Sequence, residues 1–110
     1  EAIKNQDLVV VVDTMPMEIT GWADVILPEC TYLERYDDIR TAPDREPSIA
    51  LRMPAVKPKY LSKPADWISR KLALKLGLQA WFTYKDFSEV LDWQLKQMGS
   101  SLEAMKEKGV

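Results

Sequence analysis

Three groups of residues in this chain have the types and spacing to do chemistry. Asp13 follows the apolar run Leu8 to Val12 and precedes Thr14-Met15-Pro16. A carboxylate in that position can accept a phosphoryl group, take hydrogen bonds from a bound ligand, or only cap the loop after a buried strand. Glu34, Asp37 and Asp38 could be paired carboxylates for acid–base work; interleaved with Arg35 and Arg40, they read better as a solvated, salt-bridged turn. Cys30 is the only cysteine, so neither an internal disulfide nor a cysteine metal cluster can form. It reads as a semi-buried bystander.

Composition narrows the classes. The 110 residues are 46% hydrophobic, enough for one globular domain, and carry a net charge of −2 with both signs mixed. No basic footprint for nucleic acid and no polybasic membrane patch follows from that balance. Histidine is absent, which removes the usual acid–base group near neutral pH and the commonest zinc ligand. A self-contained metalloenzyme or a Ser/His/Asp hydrolase is excluded. The longest apolar run is too short to span a bilayer, and no signal-peptide pattern opens the chain. An initial Glu in place of Met points to a piece of a longer polypeptide.

The elements that must position these groups fall into a strand-rich half, 1–62, and a helical half, 63–110. Leu8 to Asp13 has no alternation, the pattern of a strand buried on both faces in a parallel sheet. Met17 to Ala23 has room for about two helical turns, and Ala23 to Pro28 reads as a second buried strand near 24–27. Pro43, Pro47, Pro54 and Pro58 break the long connection from Glu29 to Ser62, in which Ile49 to Met53 is one more short strand. Connections of that length are often functional. Beyond it, Pro64 and Gly77 bracket a helix near 64–76 with Ala65, Ile68, Leu72 and Leu76 on its apolar face. A second helix spans 84–98, with Thr83 as N-cap and Phe87, Val90, Leu91, Leu95 and Met98 facing inward before Gly99. Ser100 and Glu103 open a third helix that runs to about Lys108 and is ended by Gly109. Trp67, Trp81 and Trp93 read as packing anchors. The fold expected is α/β, a Rossmann-like fragment with a small, mostly parallel sheet and covering helices.

Asp13-Thr14-Met15-Pro16 resembles the phospho-acceptor strand of response-regulator receiver domains. Length counts against that reading, because the twelve residues before Asp13 cannot supply the earlier strands and their acidic pair; the competing class is a non-enzymatic α/β binding module that shares only the strand motif.

A longer span resembles the molybdopterin oxidoreductases of the dimethyl sulfoxide reductase family. Asp13, then Glu18-Ile19-Thr20, Ala23-Asp24-Val25-Ile26-Leu27-Pro28 and Tyr32-Leu33-Glu34-Arg35 follow one another in that family's order, with Glu34 six residues past Pro28. Ala55-Val56-Lys57-Pro58 and Lys63-Pro64-Ala65-Asp66-Trp67-Ile68 continue the match, and the wording is most similar to catalytic subunits of thiosulfate and polysulfide reductases. The resemblance covers about Asp7 to Leu78. Met17 and Ile19 depart from the Thr-Glu-Thr-Ala turn, so any hydroxyl contact from that turn falls to Thr14 or Thr20.

The resemblance implies part of the third domain of a molybdenum or tungsten bis-pterin enzyme, the domain that grips a guanine dinucleotide tail. Val12 and Asp13 fall where the family contacts guanine or ribose, with Thr14 beside them. Arg35 falls on a basic position suited to a phosphate or ribose, and Asp66 on a second acceptor for nucleotide donors. Adjacent N1–H and N2–H2 donors of guanine suit a carboxylate. The family's iron–sulfur cluster and metal-binding residue lie outside this span, so the piece alone is expected to be inert. Implied partners are the rest of its own catalytic polypeptide, a membrane anchor and an iron–sulfur subunit. The location implied for the parent is periplasmic or membrane-associated, otherwise cytoplasmic.

Overall fold

A computed structural model describes residues 2–108, so Gly109, expected to end the third helix, lies outside the described residues. Valine-rich Val10–Asp13 (β1) pairs in parallel with Val25–Pro28 (β2), Val10 opposite Val25 and Asp13 opposite Pro28. Asp24 sets that register. Its Oδ2 accepts the Val9 N–H at 2.8 Å while its own N–H donates to the Val9 carbonyl at 2.9 Å. The crossover holds a 3-10 helix, Glu18–Trp22, closed at its start by Thr20, whose hydroxyl accepts the Met17 N–H at 2.9 Å. A third parallel segment extends the pair: Glu29 bridges Lys63, with Lys63 N–H donating to Pro28 at 3.1 Å and Cys30 N–H to Lys63 at 3.2 Å.

The connection from Glu29 to Ser62 is less featureless than its prolines imply. Arg40–Ala42 (β3) and Ser48–Ala50 (β4) form an antiparallel hairpin, so the strand expected at Ile49 to Met53 starts one residue earlier and ends at Ala50. Three helices follow: Ala65–Lys75 (α1), Phe87–Gln97 (α2) and Leu102–Lys108 (α3). Gly77 and Gly99 take φ of +74° and +77° after α1 and α2. At each, the next residue's N–H turns back into the helix, Leu78 to Ala73 at 2.8 Å and Ser100 to Leu95 at 2.9 Å. A side chain with Cβ is disfavoured in that conformation, which is why glycine ends both helices.

Two helix starts differ from expectation. Asp86, not Thr83, caps α2, its Oδ1 accepting the Ser88 N–H at 2.9 Å. Ser101, not Ser100, caps α3, its hydroxyl accepting from Ala104 at 3.1 Å, and Asp92 of α2 takes the Leu102 N–H at 2.9 Å. At α2 a carboxylate caps in place of the expected hydroxyl, and at α3 the hydroxyl one residue nearer the helix is the one that reaches the orphan N–H.

The α/β class holds, with one parallel pair and three helices, but the largest core lies away from that pair. Leu51, Leu91, Leu95, Leu102 and Met105 are buried together, with Tyr36, Ile39, Ile49, Met53 and Phe87 around them. Helices α2 and α3 thus pack on the hairpin region. In β1 only Val11 is buried, and Val10, Val12, Val25 and Ile26 are 42–52% exposed, so the two-sided burial expected of these strands is not met within this chain. Helix α1 buries Ile68 and Ala73 while Leu72 and Leu76 stay exposed; Trp67, Trp81 and Trp93 are exposed as well and are not packing anchors within this chain. A radius of gyration of 17.3 Å, against about 13 Å for a compact domain of about 100 residues, expresses the same uncovered apolar faces. No helix among the described residues is long and apolar enough to cross a membrane.

Candidate functional site

The site begins at the carboxyl ends of the parallel segments. Asp13 closes β1, and its carbonyl accepts the N–H of Glu29, one residue past β2, at 2.9 Å. Glu29 bridges Lys63, which precedes Pro64, the N-cap of α1, and Asp66 lies in that helix's first turn. Backbone pairing alone therefore sets Asp13, Glu29, Lys63 and Asp66 along one end of the sheet, where open α/β sheets bind ligands.

Side chains organise that end. Glu29 pairs with the Arg35 guanidinium, whose Nε also donates to Asp37 Oδ1 at 3.1 Å; Asp37 is shared with Arg52. The salt-bridged turn expected here is present, with Arg52 in the place assigned to Arg40. Among the described residues Arg40 makes no ion pair. A cleft of about 220 Å³ lies between this turn and the start of α1, lined by Glu29, Arg35, Asp37, Asp38, Asp66 and Phe87 among others. It brings together Arg35 and Asp66, two of the five residues the sequence singled out.

Val12, Asp13 and Thr14 stand at the neighbouring strand end and do not line that cleft. Asp13 Oδ1 accepts the Thr14 N–H at 2.7 Å, with the Thr14 hydroxyl at 3.5 Å. One carboxylate oxygen thus caps the loop, and among the described residues no hydrogen bond engages the other. Val12 leaves its side chain on the exposed face of the sheet. Asp66 Oδ2 lies 3.6 Å from Arg70, yet burial, only partly opposed by that guanidinium, raises its pKa above the ordinary aspartate value.

Glu34 is outside the ion pairs. Its Oε2 accepts the N–H and hydroxyl of Thr31 at 2.9 and 3.0 Å, and its Oε1 accepts the Lys59 N–H at 2.8 Å. Those bonds, to Lys59 and Thr31 first, hold its pKa below the ordinary value. Cys30 is fully buried rather than semi-buried, and burial pushes its thiol pKa up, leaving a protonated, unreactive side chain.

Sequence reasoning missed Glu29 and Lys63. Glu29 neutralises Arg35 in part, while Lys63 has no ion pair among the described residues and sets its ammonium 5.6 Å from the Trp67 ring centre. The signal for both was position, since each sits at the carboxyl end of a parallel segment. The unengaged oxygen of Asp13 is open to a donor from a bound ligand. A phosphate fits Lys63 more readily than Arg35, which already holds two carboxylates. Among the described residues no group of three or more Asp, Glu, Cys or His could hold a metal ion.

A family model described as molybdopterin oxidoreductase matches residues 1–75. PhsA, the molybdopterin-containing subunit of thiosulfate reductase from Salmonella typhimurium, is 31% identical over 109 residues, 99% of this chain and 14% of that protein. One sulfite dehydrogenase subunit, from Allochromatium vinosum, is 36% identical over 85 residues, 72% of this chain and 9% of that protein. Dimethyl sulfoxide reductase DmsA from Escherichia coli is 29% identical over 105 residues, 94% of this chain and 13% of that protein. The chain therefore spans about one seventh or less of the length of these relatives.

Proposed function

Given that the chain belongs to the molybdopterin oxidoreductase family, we propose that it helps a molybdenum or tungsten enzyme act on an inorganic sulfur compound such as thiosulfate, polysulfide or tetrathionate. Its own share is to hold the guanine dinucleotide tail of a pterin at the carboxyl end of its parallel strands. The observation that carries this is the alignment of Asp13, Glu29, Lys63 and Asp66 along that end, with one Asp13 oxygen left for a ligand.

In this arrangement Asp13 accepts the paired guanine donors, Thr14 and the Val12 backbone border the base, and Asp66 accepts from the ribose or a second base edge. Lys63 and Arg35 supply the positive charge that a pyrophosphate needs. When bound, the cofactor supplies the redox-active metal centre; these residues anchor it at a distance from the reacting atoms.

Similarity to subunits of a thiosulfate reductase and a sulfite dehydrogenase supports the sulfur substrate. That both relatives are named as subunits supports an assembly with further components, which we assign as a membrane anchor and an iron–sulfur subunit. An iron–sulfur cluster elsewhere in the catalytic polypeptide belongs to the same reading, as does a periplasmic or membrane-associated location. Asp13→Ala in the native polypeptide tests the site: guanine nucleotide released on denaturation should fall about tenfold, equivalent to about 1.4 kcal/mol of binding. Unchanged nucleotide content would rule out Asp13 as the guanine acceptor.

A further inference from the structure

Helix α1 also borders a larger cavity, of about 400 Å³, that shares no lining residue with the cleft at Arg35 and Asp66. Trp67, Phe82 and Tyr84 supply its aromatic surface, and Arg70, Lys71 and Lys85 its positive charge. We propose that this cavity is a separate binding site for an aromatic anion of the nucleoside monophosphate class, its ring against the aromatic walls and its phosphate on the two lysines.

The charge balance favours an anion. Among the described residues Asp86 is the one acid in the lining, and its carboxylate is committed to the N-terminus of α2 through Ser88. Among the described residues neither Lys71 nor Lys85 has an ion-pair partner. Lys71 instead sets its ammonium 5.4 Å from the Trp67 ring centre, so charge and ring already share one wall.

Arg70 adds a second argument. Its Nη1 donates to the carbonyls of Tyr84, at 3.4 Å, and Lys85, its Nη2 faces Asp66 at 3.6 Å, and its guanidinium lies 5.3 Å from the Tyr84 ring centre. These contacts fix Arg70 and Tyr84 together in one wall, so the cavity has its shape before a ligand enters. The volume falls within the range of about 300–1,000 Å³ typical of small-molecule sites. Phe82 and Tyr84 are tilted at 52° with ring centres 6.2 Å apart, so they form an angled aromatic wall. Oxyanion recognition alone would not need three rings.

Photolabelling of the native polypeptide in its cofactor-loaded form with 8-azidoadenosine monophosphate tests the assignment independently of the guanine site, which the cofactor fills. Label should map to residues 67–86, and AMP should compete about tenfold better than adenosine or inorganic phosphate. The exposed double variant Lys71→Glu/Lys85→Glu should lower labelling about tenfold while leaving the released guanine nucleotide unchanged. Label mapping elsewhere, labelling indifferent to the double variant, or phosphate competing as well as AMP would each overturn it.

Discussion

The Glu34 carboxylate accepts the backbone N–H of Lys59 at 2.8 Å, across 25 residues of chain. With its other oxygen on Thr31, it ties the turn that presents Arg35 to the segment entering Lys63. Because hydrogen bonds lower its pKa in the folded state, Glu34 contributes stability that is fully present above its unfolded value near 4.5 and is lost as pH falls through the folded value. Glu34→Gln keeps the shape but removes one charge-assisted acceptor. We expect a lower Tm at pH 7 and a gap from the parent chain that closes below pH 4.5. A gap that persists unchanged at acid pH would assign the loss to packing.

Leu91 and Leu95 are fully buried at the centre of the helix–hairpin core. Truncating either to Ala removes buried methyl groups and leaves a cavity that Leu51, Leu102 and Met105 only partly fill. A loss of about 2–5 kcal/mol is expected for each in denaturant unfolding. Leu72→Ala, on the exposed face of α1, should cost much less in the isolated chain, because its side chain is 54% exposed.

Tyr60 has φ of +57° with its side chain 94% exposed. Nothing in its packing offsets the left-handed backbone, which costs a residue bearing Cβ about 1–2 kcal/mol. Glycine relieves that strain at a smaller cost in unfolded-chain entropy. Tyr60→Gly should therefore raise stability by about 0.5–1 kcal/mol in chemical denaturation. A loss would mean that the Tyr60 ring makes a stabilising contact.

The parallel pair was legible because Val9 to Val12 and Val25 to Leu27 are unbroken apolar runs, and α1 and α2 because Pro64, Gly77 and Gly99 punctuate them. Burial was less legible. Periodicity reports which residues are apolar, not what covers them, so Leu72 and Leu76 were assigned to a core that in fact takes Ile68 and Ala73. The hairpin was half hidden, since Arg40–Ala42 mixes charge and small side chains and its link to Ser48 lacks an Asn-Gly or Asp-Gly signal. In the site, Asp13, Arg35 and Asp66 came from motif order. Glu29 and Lys63 could be found only once the bridge between them showed a third parallel segment.

That bridge separates the roles of two cations. Arg35 is held by Glu29 and Asp37, so replacing it leaves Glu29 without its partner and Asp37 with Arg52 alone, a stability defect before a binding one. Lys63 is backbone-bonded to Pro28 and Cys30, but among the described residues its ammonium is engaged only over Trp67, at 5.6 Å. Its charge is the more available to a pyrophosphate at the strand ends. Lys63→Ala should therefore lower guanine nucleotide retention about tenfold at low salt, by less as salt screens the lost charge, with little change in Tm. Arg35→Ala should lower Tm clearly while nucleotide content per folded polypeptide falls less. Equal nucleotide losses at unchanged Tm would instead make Arg35 a direct phosphate ligand, which requires its guanidinium to leave Glu29 when the cofactor binds.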